Sequence, residues 1–178
     1  MSTTKWISDP THSEIGFKIK HLMITNVSGN FGKFNVEAEA ANDDFQNAKI
    51  DFTAEINSVD TGNEQRDGHL LAPDFFDAEK FPQMKFKASN SEKLDANGNY
   101  SLNGDLTIRD VTKPVQLNLE FGGIANDPYG NTKAGFTVTG KINRKDFGLI
   151  WNGTMETGGL LLSEEVKLHA EIQLVKQK

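Results

Sequence analysis

Apolar residues recur at every second position in eight separate segments of this chain. Ile15, Phe17 and Ile19 alternate with Glu14, Gly16, Lys18 and Lys20, and Phe34, Val36 and Ala38 alternate with Asn35, Glu37 and Glu39. Ile50, Phe52, Ala54 and Ile56 alternate with Asp51, Thr53, Glu55 and Asn57, while Met84, Phe86 and Ala88 flank Lys85 and Lys87. The pattern returns at Leu102, Leu106 and Ile108, at Val115, Leu117, Leu119 and Phe121, at Phe136, Val138 and Ile142, and at Val166, Leu168, Ala170, Ile172 and Leu174. A repeat of two is the side-chain period of a β-strand, so each segment predicts a strand with one wet and one dry face.

Eight dry faces need a cover. One stretch, around Asn63 to Ala72, reads as a helix, and it is too short to cover eight strands. The sheet must therefore close on itself or fold into a two-sheet sandwich. Eight strands of about 8–12 residues match a barrel wide enough for side chains or one ligand. Asn97-Gly98 and Asp127-Pro128-Tyr129-Gly130-Asn131 are turn signals, and short links favour antiparallel neighbours over parallel crossovers. Two segments, 60–82 and 144–163, break the alternation, as loops that form lids or rims often do.

The 178 residues suffice for one barrel around a core or a cavity, and no repeat or linker divides them. The net charge of −6 gives no general attraction to nucleic acid, and at most a transient contact with a membrane. With no cysteine, disulfides, thiolate metal sites and a Cys nucleophile are excluded. No secretory signal is visible at the N-terminus, so a cytoplasmic protein is expected, or a periplasmic one if a leader was removed. No run is apolar and long enough for a spanning helix.

Hydrolase and zinc-protease signatures are missing. His12, His21, His69 and His169 have no metal-ligand spacing, and no metal or cofactor is expected. Gly135 to Ile142 reads G-x-x-x-x-G-K-I, but it lacks the Ser or Thr of a phosphate loop and alternates like a strand. Arg66, Arg109 and Arg144 are the only arginines, each near Asp67, Asp110 or Asp146. They are read either as clamps on strands and loops or as contacts to an anionic or quinone headgroup. Twelve phenylalanines make the dry faces strongly apolar, able to fill a core or to line a cavity.

Several ordered motifs resemble one family. Trp6-Ile7-Ser8-Asp9, His12-Ser13, His21 and Val27-Ser28-Gly29-Asn30-Phe31 resemble the opening of the YceI-like, polyisoprenoid-binding proteins. Arg66-Asp67-Gly68-His69-Leu70, Asp74-Phe75-Phe76-Asp77 and Phe81-Pro82 are similar to its central motif. Gly104-Asp105-Leu106-Thr107-Ile108-Arg109-Asp110-Val111-Thr112-Lys113-Pro114-Val115 resembles its most specific stretch, and Arg144-Lys145-Asp146-Phe147-Gly148 and Ser163-Glu164-Glu165-Val166-Lys167-Leu168 follow. Asp110 stands where the family commonly has Gly, at a turn that would call for a positive φ.

The resemblance implies one domain over 1–178: a closed, eight-stranded, antiparallel, lipocalin-like barrel with one short helical segment, often a homodimer. It implies binding and storage or transport of a long-chain isoprenoid, of quinone or polyprenyl phosphate type, with no catalytic residues. Alternation then assigns Phe17, Ile19, Phe52, Ile56, Phe86, Leu106, Ile108, Phe136 and Trp151 to the lining, and His21, Arg66 and His69 to polar contacts at the mouth. Two other readings use the same barrel. A lipid-modifying enzyme needs two of His21, His69, Asp67 and Asp77 within hydrogen-bond reach in the pocket. A stress-response protein-interaction module needs a filled barrel and an outer apolar patch.

Overall fold

The structure, a computed structural model, describes residues 3–22, 24–41, 43–150 and 162–178. Alternation becomes the strands β1 (Thr4–Ser8), β2 (Glu14–His21), β3 (Thr25–Phe31), β4 (Phe34–Ala41), β5 (Asp44–Glu55) and β6 (Val59–Asp60). After helix α1 (Glu64–Leu71) come β7 (Gln83–Lys93), β8 (Asn99–Ile108), β9 (Val111–Asn126), β10 (Thr132–Asn143) and β11 (Leu162–Lys176).

Three strand pairs merge into single bent staves. β2 pairs with β3 and β1 with β4, so β1 with β2 and β3 with β4 form two adjacent staves, each broken by a corner. A 3₁₀ turn, Ile56–Ser58, separates β5 from β6 in the third, and β6 pairs with the end of β3. With β7 to β11 that makes eight antiparallel staves in chain order. The long β11 closes the ring. One of its edges pairs with β10, and the other pairs with β2 and then with β1, where Trp6 faces Lys176. Pairing therefore runs all the way round, and the sandwich alternative is overturned: a closed eight-stranded barrel leaves no edge to cap.

Local chemistry explains the breaks. At the corner between β1 and β2, the Asp9 carboxylate accepts from Thr11 N–H at 2.9 Å and from Lys133 Nζ at 2.7 Å, tying the corner to β10. Asn47 takes a left-handed φ of 58°, a conformation Asn tolerates, and the inward-facing set of β5 changes there from Phe45 to Ala48 and Ile50. The neighbouring β7 shifts register between Ala88 and Asn90. Ser91 joins the two irregularities, its Oγ accepting from Asn47 N–H at 2.7 Å and donating to the Phe45 carbonyl at 3.2 Å. At the β7–β8 turn, Gly98 has a φ of 89° and the Asp95 carboxylate accepts from Asn97 N–H at 2.8 Å. The positive φ expected at Asp110 is instead at Arg109, at 58°.

α1 begins where Asn63 caps it, its Oδ1 accepting from Arg66 N–H at 3.0 Å. The helix buries none of its residues. It lies at the barrel end that also carries the β2–β3 and β8–β9 turns. The opposite end is packed with aromatic rings. Trp6, with no exposed surface, packs on Phe45, Phe45 packs on Phe121 and Phe136, and the last two rings stack 5.2 Å apart.

Candidate functional site: an apolar cavity inside the barrel

Between the aromatic plug and α1 the barrel holds a cavity of about 400 Å³. Its wall is nearly all apolar, drawn from every stave. The alternation explains why. Inner residues of β2, β9 and β11, among them Ile15, Phe17, Leu117, Leu119, Val166 and Leu168, point inward yet stay only half-buried, because they meet a void and not a facing side chain. Inner residues nearer the plug, such as Ile172 and Leu174, are buried. An apolar void of this size suits a hydrocarbon ligand, for which its wall offers few hydrogen-bonding groups to compete.

Phe17, Ile19, Phe52, Phe86, Leu106, Ile108 and Phe136 all lie on this wall, and His21, Arg66 and His69 lie on it too. Ile56 does not. It occupies the 3₁₀ turn after β5 and is buried with Phe31, Ala54, Val59 and Ala78, because the chain has left the extended strand geometry that would carry the alternation through it. Trp151 lies outside the described residues. The wall also holds residues that alternation did not single out: Phe31, Phe45, Phe75, Phe76, Tyr100, Arg144 and Leu149. Phe45 sits beyond the break at Asn47, where extrapolating the even-numbered pattern of β5 points to the wrong face. Phe75 and Phe76 come from the segment after α1, whose non-repeating backbone carries no period at all.

Three polar wall residues lie at the α1 end. His21 ends β2, and Arg66 and His69 lie on α1. Arg66 is held by Thr61, donating from Nε to Oγ1 at 2.8 Å and from Nη2 to the carbonyl at 2.6 Å. Asp67 does not pair with it; its carboxylate accepts from Thr61 N–H at 2.9 Å and Thr61 Oγ1 at 2.5 Å. His69 Nε2 stands 3.6 Å from the Asp74 carboxylate, with its ring against the edge of Phe75. Arg109 reaches the Gly148 carbonyl at 3.2 Å and lies over the Phe81 ring, away from the cavity wall.

Among the described residues, Arg144 is the one charged side chain that is both buried, at 2 % exposure, and on the wall. Nε donates to the Ser163 carbonyl at 2.8 Å and Nη1 to that of Leu149 at 2.6 Å, so the guanidinium fastens the segment after β10 to the start of β11. Burial lowers its pKa, and the charge of Glu164 acts in the opposite direction. Arginine stays protonated under such a shift, so Arg144 holds a buried positive charge in the cavity wall.

No two of His21, His69, Asp67 and Asp77 are hydrogen-bonded to each other among the described residues, and no group of three or more His, Asp or Glu there could hold a metal ion. Gly135 to Ile142 runs inside β10 as a strand. A filled barrel, which the protein-interaction reading requires, is contradicted by the cavity.

The model of the YceI-like domain matches residues 6–174. A UPF0312 protein of Staphylococcus epidermidis is 39% identical over 171 residues, covering 96% of each chain. The crystal structure of a Campylobacter jejuni YCEI protein superposes with a TM-score of 0.76 at 36% identity, over 89% of this chain and 90% of that one. A polyisoprenoid binding domain from Saccharophagus degradans, implicated in plant cell wall breakdown, shares the fold at a TM-score of 0.64 and 15% identity, over 97% of this chain and 98% of that one. The matched region begins at the plug residue Trp6 and ends at Leu174 of the closing strand, so the whole ring is included: this chain belongs to the YceI-like family.

Proposed function

We infer that the barrel binds the tail of a long-chain isoprenoid lipid and stores it or carries it between membranes. One observation carries this reading: a void of about 400 Å³ inside the barrel, walled almost entirely by apolar side chains from every stave. That volume lies within the roughly 300–1,000 Å³ range of small-molecule sites. The fold shared with a polyisoprenoid binding domain supports the reading at the level of architecture.

The energetics suit a carrier. A methylene gains about 0.8 kcal/mol on leaving water, so for a long tail the sum exceeds any realistic binding free energy. The useful reference is the bilayer. Cavity and bilayer are both apolar, so transfer between them is nearly balanced, and a ligand so held can be returned. In this reading the wall shields the tail, and His21, Arg66 and His69, which line the cavity at the α1 end, meet a polar head group of quinone or phosphate type. This reading assigns no catalytic group, because binding alone accounts for the geometry.

Native mass spectrometry of the purified protein, with extraction of co-purifying lipid and with offered quinone or polyprenol, tests the reading. One lipid per chain is expected. Protein that stays empty in the presence of both lipids would refute it.

A further inference from the structure

We propose that the α1 end of the barrel docks on an anionic bilayer surface, so that lipid passes between membrane and cavity without crossing water. The inference rests on the lipid-binding reading and adds where the exchange occurs.

Two independent features place it there. The first is an apolar tip. The β2–β3 turn exposes Leu22 and Ile24, the latter at 75 %, directly after His21 of the cavity wall. Ile150, 68 % exposed, belongs to the same rim. Arg144 ties the Leu149 carbonyl to that of Ser163, and Ser163 Oγ accepts from Lys20 N–H at 3.2 Å, so this segment abuts the end of β2. The exposed apolar side chains of the tip thus follow directly on a residue of the cavity wall. A prenyl tail leaving through water would forfeit the gain on every methylene, whereas apolar side chains set into the interfacial layer give it a dry route.

The second feature is charge. On the outer face below the tip, Lys18, Lys167 and Lys141 stand directly opposite one another across β2, β11 and β10. Like charges in register oppose each other, so the row does not serve strand pairing. Lys20 extends it toward the tip. The carboxylates near this row are partly engaged, Glu165 with Lys141 at 3.7 Å and Glu164 with Lys145 at 2.9 Å, whereas no ion pair to Lys18, Lys20 or Lys167 forms among the described residues. In a chain of net charge −6 this is a local cationic stripe, and anionic headgroups complement it. The α1 side of the rim carries Glu64, Asp67 and Asp74, so the barrel leans on its β2–β11–β10 side. Leu94, Ile124 and Tyr129 are also exposed, but they lie at the plugged end, where no cavity opens.

Flotation with phosphatidylcholine vesicles, with and without phosphatidylglycerol, tests this. Wild-type protein should float with the anionic vesicles and much less with the neutral ones. Lys18→Gln, Lys20→Gln and Lys167→Gln should each weaken binding about fivefold, and Ile24→Asp with Ile150→Asp should abolish it. Leu94→Asp and Tyr129→Asp, at the plugged end, should leave it unchanged. All variants should still take up geranylgeraniol added in solution, which separates docking from cavity binding. The proposal is overturned if wild-type protein takes up geranylgeraniol yet ignores vesicles, if it binds neutral vesicles equally well, or if the plugged-end variants lose binding as the rim variants do. End-on vesicle binding without geranylgeraniol uptake would support docking and refute the cavity reading.

Discussion

The two ends of this barrel are made by the same alternating pattern and differ in what meets at the centre. At the plugged end Trp6 packs on Phe45, and Phe45, Phe121 and Phe136 pack on one another, so rings from opposite staves meet. Toward α1 the inner faces of β2, β9 and β11 carry residues that are just as apolar, yet they stay half-buried around a cavity. Hydrophobicity alone does not separate a core from a binding site; what separates them is whether large side chains face each other across the ring. Irregular backbone decides that. The break at Asn47 turns Phe45 inward, and the register shift between Gly135 and Phe136 sets Phe136 opposite Phe121. Elsewhere small residues hold the wall back: a side chain at Gly104 would strike the Lys87 carbonyl and the Phe86 ring.

The sharpest way to break this contrast is to hollow the plug. Trp6→Ala should cost about 3–5 kcal/mol, while Leu117→Ala, whose side chain already borders a void, should cost roughly half that or less; urea denaturation of both measures the difference. Should the two cost the same, the plug would not be the more tightly packed end. The converse change fills the void. Ala170→Trp on the cavity wall should lower prenyl-lipid affinity by about tenfold or more, equivalent to about 1.4 kcal/mol, with the fold retained; lipid titration followed by native mass spectrometry reads it.

The corner between the ends gives a smaller, pH-dependent effect. Hydrogen bonds from Lys133, then from His12 and Thr11, hold the Asp9 carboxyl well below the usual carboxylate range. A depressed folded-state pKa contributes stability above the unfolded-state value of about 3.9, and that contribution is lost as pH falls through the folded value. Asp9→Asn should therefore lower the urea midpoint at pH 7, and its difference from wild type should shrink in strong acid. A difference that is constant with pH would exclude the ionic contribution. The smallest effect on stability is expected at α1. Asp67→Asn weakens a bond to Thr61 that is local to the segment, so global stability should shift by no more than about 0.5 kcal/mol, while amide exchange across 61–72 should quicken.

Much of the ring was legible before any coordinates. Period two located eight staves, and seven of the nine expected lining residues and all three expected mouth residues lie on the cavity. α1 was visible as a break in the alternation around Asn63, whose side chain caps it. Alternation is local and survives wherever the backbone is extended, so those assignments carried through. It failed at Ile56, where a 3₁₀ turn ends the strand, and it could not reach Phe45 past the left-handed Asn47 or Phe75 in the turns after α1.

The sequence by itself determined that this chain builds strands with one dry face and that those faces must be covered by closure or by a second sheet; the pairing of β11 with β1 and β2 chose closure. Only the tertiary structure decided that the interior is plugged at the Trp6 end and hollow beneath α1. The reason is physical: which face a residue takes follows from its neighbours along the chain, whereas whether space opposite it is filled depends on side chains from staves far apart in sequence, set by register and bulges that no local period encodes.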